Sequence, residues 1–425
     1  MRFLYSLLIT LSTPFVLLYF AMRGLRDRAY LDRWKERFGF IQAPKTPGGI
    51  LLHAASVGEY NTARPLVMAL LGAYPEMPLT VTTSTPTGSE RVRQSLDSRV
   101  NHIYLPLDLP TAVSRFLDRL QPGLIIVMET EIWPNLYRGA QRRDIPLLIA
   151  NARLSRRSVK RFGRSAGLMQ KMLQSVNWIG AQSAGDVTRL IQCGAVPKHT
   201  VLAGNLKYEI DVPAGLSEQS EDLRSRWGRQ RPVLVAGSTH EADEGVVIPA
   251  FIELLEQLPD ALLILVPRHP ERFSQVAQTA RDIGLHVSLR SESESCSELT
   301  QCFVIDAMGE LMLYYACADV VFVGGSIGAE GGHNPLEPAV LGKPILMGPR
   351  VENNQELFTQ LVACGAALSV SNWQDFQQAT ATLLGDRVLR ECMGRAGQAL
   401  VANNRQALEL TLKVIEQQLT KPSHS

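Results

Sequence analysis

The chain is short of cysteine, with six in 425 residues, and none falls in a C-x-x-C pair or beside a metal-ligand His. That excludes a disulfide framework and a Cys-based metal site. Cys193, Cys296, Cys302, Cys317, Cys364 and Cys392 are therefore expected to be reduced, mostly buried thiols of an intracellular protein. Net charge is equally scarce: 43 Lys+Arg against 41 Asp+Glu leaves +2, which excludes a nucleic-acid binder or an acidic tail as a property of the whole chain. Charged residues at 20% beside 45% hydrophobic residues exclude a mainly disordered chain. No G-x-x-x-x-G-K-[ST] or H-E-x-x-H is present, so P-loop and zincin chemistries lack support. The eight His residues show no metal-ligand spacing. No internal repeat or low-complexity tract interrupts the chain.

Charge is also absent locally. Phe3–Met22 carries none, although Ser6, Thr10, Ser12, Thr13 and Pro14 dilute its apolar character. As a helix it is about 30 Å long, enough for one bilayer crossing. A cleaved signal peptide, an apolar helix packed on a globular domain, and an uncleaved membrane anchor, spanning or interfacial, all fit that length. A signal peptide needs a small-residue cleavage site and a secreted domain after it. The next stretch is instead a basic collar of Arg23, Arg26, Arg28, Arg33, Lys35 and Arg37, offset in part by Asp27, Asp32 and Glu36. By the positive-inside rule this collar holds the rest of the chain in the cytoplasm, so an anchor is expected. Between Asp144 and Asp186 acids are missing altogether, while Arg153, Arg156, Arg157, Lys160, Arg161, Arg164 and Lys171 are present. The periodicity of Leu154–Leu173 fits a helix with a basic face. That face is either simply solvated or meets anionic lipid head groups or a phosphorylated substrate.

At roughly 100–200 residues per domain, the length predicts two domains or three. Short apolar runs alternate with helix-length segments. The strand candidates are Ile50–Ala55, Leu79–Ser84, Gly123–Met128, Leu147–Ala150 and Trp178–Ala181, then Val233–Gly237, Leu262–Val266, Cys302–Ile305, Val320–Gly324 and Ile345–Met347. Continuous runs of this kind describe strands buried on both faces of parallel α/β sheets. Tyr208–Arg231 is polar, holds Pro213, Gly215 and Gly228, and reads as a linker. The expected division is an anchor at 1–22, a Rossmann-like domain at 23–207, the linker at 208–231, and a second Rossmann-like domain at 232–425. The last helix of that second domain is a candidate to pack back on the first. Two doubly wound domains facing across a cleft bind ligands beyond the carboxyl ends of their strands.

Polar clusters stand at those ends. His53-Ala54-Ala55-Ser56-Val57-Gly58-Glu59 puts Glu59 at the head of a helix, where a carboxylate is favourable for structure alone and is also placed to act as a base. Thr82–Gly88 offers hydroxyls for a sugar or phosphate, or a cap at Thr85 with Pro86 at the first helical position. Glu129-Thr130-Glu131-Ile132-Trp133-Pro134-Asn135 sets two carboxylates two residues apart at a strand end, where like charges repel. Gly204-Asn205-Leu206-Lys207 offers one cation. In the second half, Ser238-Thr239-His240-Glu241 and Pro267-Arg268-His269-Pro270-Glu271-Arg272 each follow a strand, and an Arg beside a helix start suits a phosphate. Met308-Gly309-Glu310-Leu311 begins a helix. Asn334-Pro335-Leu336-Glu337 reads as N-cap, first helical residue and capping acid, with Glu337 also able to accept from ribose hydroxyls. Gly324-Gly325-Ser326-Ile327-Gly328 fails the dinucleotide fingerprint but fits G-x-S-x-G, as does Gly163-Arg164-Ser165-Ala166-Gly167. Neither has the following acid and His that a hydrolase elbow needs.

In order along the chain, these segments resemble the Kdo transferases, bacterial enzymes that move 3-deoxy-D-manno-octulosonic acid (Kdo) from CMP-Kdo to the lipid A precursor. The match runs through the anchor, Trp34-Lys35-Glu36-Arg37-Phe38-Gly39, Ser56–Glu59, Glu129–Asn135, Asn151-Ala152-Arg153, Pro267–Arg272 and His333–Glu337. The resemblance implies a glycosyltransferase B architecture, with the acceptor on the amino-terminal half and CMP on the carboxyl-terminal half. It implies that Glu59 is the general base and that Glu129 and Lys207 stabilise the transition state. Pro267 and Arg268, Met308, Gly309 and Glu310, and Asn334, Pro335, Leu336 and Glu337 would hold CMP. It implies inversion at the transferred carbon, no cofactor or metal, and no nucleic-acid partner. The setting it implies is the cytoplasmic face of the inner membrane, on an anionic lipid surface.

Overall fold

A computed structural model of the chain describes residues 2–25, 27–96, 99–155, 158–159, 166–293 and 296–420. It divides into one unit of Met1–Glu209 with Asn404–Ser425 and a second of Ile210–Asn403. Each is built on one seven-stranded parallel sheet. The first sheet comprises β1 (Ile50–His53), β2 (Leu79–Thr83), β3 (Asn101–Tyr104), β4 (Leu124–Met128), β5 (Leu147–Ala152), β6 (Trp178–Ala181) and β7 (Thr200–Leu202). Its order is β3-β2-β1-β4-β5-β6-β7. The second comprises β8 (Val233–Thr239), β9 (Leu262–Pro267), β10 (Val287–Leu289), β11 (Cys302–Val304), β12 (Val320–Val323), β13 (Ile345–Met347) and β14 (Ala367–Ser369). Its order is β10-β11-β9-β8-β12-β13-β14. The direction of winding reverses between β1 and β4 in the first sheet, and between β8 and β12 in the second.

The apolar runs form these strands because both faces are covered. In β4, Ile125 and Val127 join one core with Phe116 and Leu117. Leu124, Ile126 and Met128 join the other with Leu66 and Leu70. Alternate side chains point to opposite faces, so every position must be apolar. All ten expected strands are present. The four that the pattern did not announce, β3, β7, β10 and β14, are the four sheet edges. An edge strand is short and incompletely covered, so it tolerates Asn101, Ser288 or Ser369 and carries no continuous apolar run.

Three segments bear on the expected division. Tyr208–Arg231 holds a helix, Leu216–Trp227, and Trp227 is buried with its ring stacked on Tyr314 at 6.5 Å. Glu218, Glu221 and Asp222, which gave the segment its polar character, are exposed on that helix's solvent face. The chain returns to the first unit at its end, where Ala407 and Ile415 of helix Gln406–Leu419 enter the same core as helix Val57–Ala73. Within Leu154–Leu173, the described helix is Ala166–Gln174. Arg156, Arg157, Lys160, Arg161 and Arg164 lie outside the described residues, as do Gly163 and Ser165 of the second G-x-S-x-G match and Arg26 of the collar. The cysteines are less uniform than expected: Cys296, Cys302 and Cys317 are buried, Cys193 is half-buried, and Cys364 and Cys392 are exposed.

Candidate active site

In the first unit the segments after β1 and β4 flank the winding reversal, where α/β sheets bind ligands. Glu59 is the third residue of helix Val57–Ala73. Ser56 caps that helix by accepting from the Glu59 N–H at 3.4 Å. The Glu59 carboxylate reaches back to accept from the Ala55 N–H at 2.7 Å and from the Ser56 hydroxyl at 3.3 Å. The capping role and a place at the site thus coexist. Burial pushes the Glu59 carboxyl up to about 7, against the Ala55 hydrogen bond and with the Glu131 and Glu129 charges adding to the rise. Glu129 and Glu131 are themselves raised, chiefly by burial, and Glu129 is held back by Lys207 and Arg153. The fold therefore gathers Glu59, Glu129 and Lys207, and adds Glu131 and Arg153 to them.

The backbone that achieves this is strained. Glu129 has φ of 55°, a left-handed conformation that costs such a residue about 1–2 kcal/mol, and Asn151, at φ of 57°, adopts the same conformation, which Asn tolerates better. Asn151 sits where the β5–β6 register shifts, and its Oδ1 accepts from the Leu206 N–H at 2.9 Å. Gln182 donates to the Asn151 carbonyl at 2.9 Å, and Asn205 donates to Gln182 at 3.2 Å. Asn205 in turn accepts from the Lys207 N–H at 3.0 Å. This amide relay fixes the short turn that carries Lys207. Nearby, the buried Asp108 accepts from the Asn135 and Leu136 N–H groups, both at 2.9 Å, and so holds the start of helix Pro134–Gln141. Burial raises Asp108 to about 6.

In the second unit, polar groups collect at the ends of β8, β9 and β12. His240 and His333 stack 5.2 Å apart, with Nε2 to Nε2 at 2.9 Å, so one ring must donate and the other accept. His269 meets His240 edge-on at 5.2 Å. Burial, with His240 and Arg268 adding, lowers His333 to about 4. Glu337 is raised by burial, opposed by Asn334 and by Arg268. The Arg268 side chain is exposed, while its N–H is spent on the Thr239 carbonyl at 3.0 Å. Met308, Gly309 and Glu310 follow β11, the strand beside β9. Glu310 is paired with Arg290 at 3.1 Å and accepts from Tyr314 at 3.2 Å.

One sequence expectation needs correction here. The helix after Asn334 spans only Leu336–Val340, with Pro335 at its cap position. Asn334 accepts from the Leu336 N–H at 3.1 Å. One turn has little macrodipole, so this helix adds little to anion binding. Ser326 of the G-x-S-x-G match is fully buried, donating to the Val323 carbonyl at 2.7 Å and accepting from Gly348 N–H at 2.8 Å. It is no exposed nucleophile. Like Asp108, Asp243 was not singled out by the sequence; it is fully buried. It accepts from the N–H groups of His240, Gly325, Ser326 and Ile327 at 2.7–3.3 Å. An Asp three residues after a helix cap was its one visible signal.

The fold is the two-sheet α/β class of the glycosyltransferase B type, with an amino-terminal apolar helix. A family model described as 3-deoxy-D-manno-octulosonic-acid transferase matches residues 32–210. The chain is 40% identical over 423 residues, 99% of each chain, to the 3-deoxy-D-manno-octulosonic acid transferase of Haemophilus influenzae. It is 31% identical to that of Bordetella pertussis over 93% of this chain and 97% of the other. The UDP-GlcNAc 2-epimerase of Neisseria meningitidis, at 14% identity, superposes with a TM-score of 0.56 over 87% of this chain and all of that one (100%), a likeness of fold alone. This chain belongs to the 3-deoxy-D-manno-octulosonic acid transferase family, and it is a glycosyltransferase.

Proposed function

We propose that the chain transfers Kdo from CMP-Kdo to a hydroxyl of a lipid A precursor, inverting the transferred carbon, at the cytoplasmic face of the inner membrane. The observation that carries this reading is Glu59, a half-buried carboxyl held near neutrality among two further acids at the winding reversal. A base is most effective when its pKa lies near the working pH. Glu59 takes the proton of the acceptor hydroxyl as that oxygen bonds to the Kdo anomeric carbon. The bond from that carbon to the CMP phosphate breaks, and its electron pair leaves with CMP. Glu129 faces the positive charge that develops on the sugar, and Lys207 opposes the burial that raises the Glu129 carboxyl.

Pro267, Arg268, Met308, Gly309, Glu310, Asn334, Pro335, Leu336 and Glu337 form the nucleotide side. Arg268 carries most of the phosphate charge, since the five-residue helix at Leu336 adds little. Glu337 accepts from the ribose. The test is mass spectrometry of the lipid after the full chain is incubated with CMP-Kdo and lipid A precursor. A mass gain of one or more Kdo units with matching CMP release is expected. Consumption of CMP-Kdo without a lipid product would overturn the acceptor assignment.

A further inference from the structure

Helix Arg2–Gly24 is long and apolar enough to cross a membrane by length and composition. Its exposure, however, is two-sided. Tyr5, Ser6, Ile9, Ser12, Thr13, Val16, Leu17 and Phe20 are half-buried, and the residues between them are exposed. That spacing is one unbroken helical face lying along the first unit. Both ends of the face are tied to that unit. At the start, the Tyr5 hydroxyl donates to Asp108 and the Ser6 hydroxyl to Asn135 Oδ1, each at 3.0 Å. At the far end, Phe20 meets the Trp34 ring edge-on at 6.1 Å, and the Arg37 guanidinium lies 4.6 Å from the Phe20 centroid.

A helix that crosses a bilayer has its two ends on opposite sides of about 30 Å of hydrocarbon. One folded unit on one side cannot hold both ends. The opposite face is apolar throughout its length, with Phe3 81%, Leu11 62% and Phe15 74% exposed beside Leu4, Leu7, Leu8, Leu18 and Met22. Its Thr10 hydroxyl is satisfied within the helix by the Ser6 carbonyl at 2.7 Å, and its other hydroxyl, that of Tyr19, lies at the collar end beside Arg23. An uncharged face of this length is far larger than water-facing surfaces carry. At its end, Arg23, Arg28 and Lys35 are exposed, sharing that surface with Asp27 and Asp32. Arg23 sits 5.0 Å from the Tyr30 ring and 5.5 Å from the Tyr19 ring. Aromatic rings with cations are what the head-group layer accommodates.

We propose that this helix lies in the plane of one membrane leaflet, its apolar face in the acyl chains and its other face on the first unit, and does not span the bilayer. The occupant of the face is an anionic lipid leaflet. The unit supplies the polar side that an interfacial helix ordinarily carries itself. Asp108 and Asn135, which hold the start of the helix at the leaflet, also hold the start of helix Pro134–Gln141 just after Glu129 and Glu131. The acidic site is thereby tied to the lipid surface. A lipid acceptor would reach it with its acyl chains still in the leaflet, which deepens the membrane part of the proposed function and rests on it only for the acceptor's identity.

The test places nitroxides at Leu4→Cys, Leu11→Cys and Leu18→Cys, three exposed positions on one helix face, with the accessible Cys193, Cys364 and Cys392 replaced by Ala. The full chain is reconstituted in phosphatidylethanolamine–phosphatidylglycerol vesicles, and depth is read from oxygen and nickel-chelate accessibility. An in-plane helix puts all three at the same shallow depth, about 5–10 Å below the head groups. A spanning helix puts Leu11 deeper than Leu4 and Leu18 by about 10 Å, which would overturn the proposal, as would failure to bind the vesicles. An amino-terminal tag that is digested in sealed spheroplasts would overturn it too; digestion only after permeabilisation is expected. Transfer by the same labelled chains in detergent is scored separately, so a failed transferase assignment is distinguishable from a failed membrane geometry.

Discussion

Replacing Glu59 by Gln separates what the carboxylate costs the fold from what it does for the reaction. In the unfolded chain Glu59 ionises near 4.5; in the folded chain burial moves it to about 7. A carboxyl raised on folding favours the native state fully below its unfolded value. That advantage is lost as pH rises from about 4.5 through about 7, and stays lost above it. The loss is about 3 kcal/mol, because each tenfold change in acidity is worth about 1.36 kcal/mol. Gln removes that pH-dependent penalty, and its neutral amide oxygen can still accept from the Ala55 N–H. Glu59→Gln is therefore expected to match the parent within about 1 kcal/mol at pH 4, where Glu59 is itself neutral, and to be about 3 kcal/mol more stable at pH 8. For a unit of this size the gain at pH 8 raises Tm by roughly 6–12 °C. Urea unfolding and thermal scans across pH 4–8 read that divergence, while transfer falls to background with CMP binding unchanged. Parallel stability curves across that range would refute the burial argument. Retained transfer would refute the assignment of the base. In the parent, kcat/KM is expected to climb through about pH 7 as Glu59 ionises, because the base must be charged to accept a proton.

Arg268→Ala should weaken CMP binding by about 10- to 100-fold, the range of a lost hydrogen bond to a charged group, with the fold intact because its side chain is exposed; unchanged affinity by calorimetry would remove it from the phosphate site. Asp243→Asn replaces an acceptor of four N–H groups with a group that presents its own NH₂ to some of them, so the second unit should lose about 2–4 kcal/mol. An unshifted thermal transition of that unit would show that the glycine-rich loop after β12 is held by other means.

The limits of the sequence are visible in particular residues. Leu124-Ile125-Ile126-Val127-Met128 announces a strand because both faces of β4 must be apolar, and the same holds for every central strand of both sheets. The edges do not have that requirement, so β3, β7, β10 and β14 left no comparable trace. Gly309, Gly324 and Pro335 mark turns at strand ends, and those ends are where the polar motifs lie. Local pattern also announced helix Pro86–Leu96, whose Gly88 N–H bonds to the Thr85 hydroxyl at 3.2 Å.

Other features are products of tertiary contact alone. Nothing near Glu59 in the chain states that Glu129 and Glu131 lie beside it, because it is the parallel pairing of β1 with β4 in the sheet that places them there. Its shift to about 7 comes from burial and from those neighbours. Asp108 and Asp243 are ordinary acids by composition, and become anchors only where several N–H groups point at one enclosed carboxylate. The amino-terminal helix shows the division most plainly. Its length and lack of charge, legible from Phe3 to Met22, determine that it seeks an apolar medium. Whether it stands through a bilayer or lies along one leaflet is decided by Tyr5 and Ser6 reaching Asp108 and Asn135 while Phe20 meets Trp34. Periodicity fixes which residues share a face, but only the folded unit decides what that face meets.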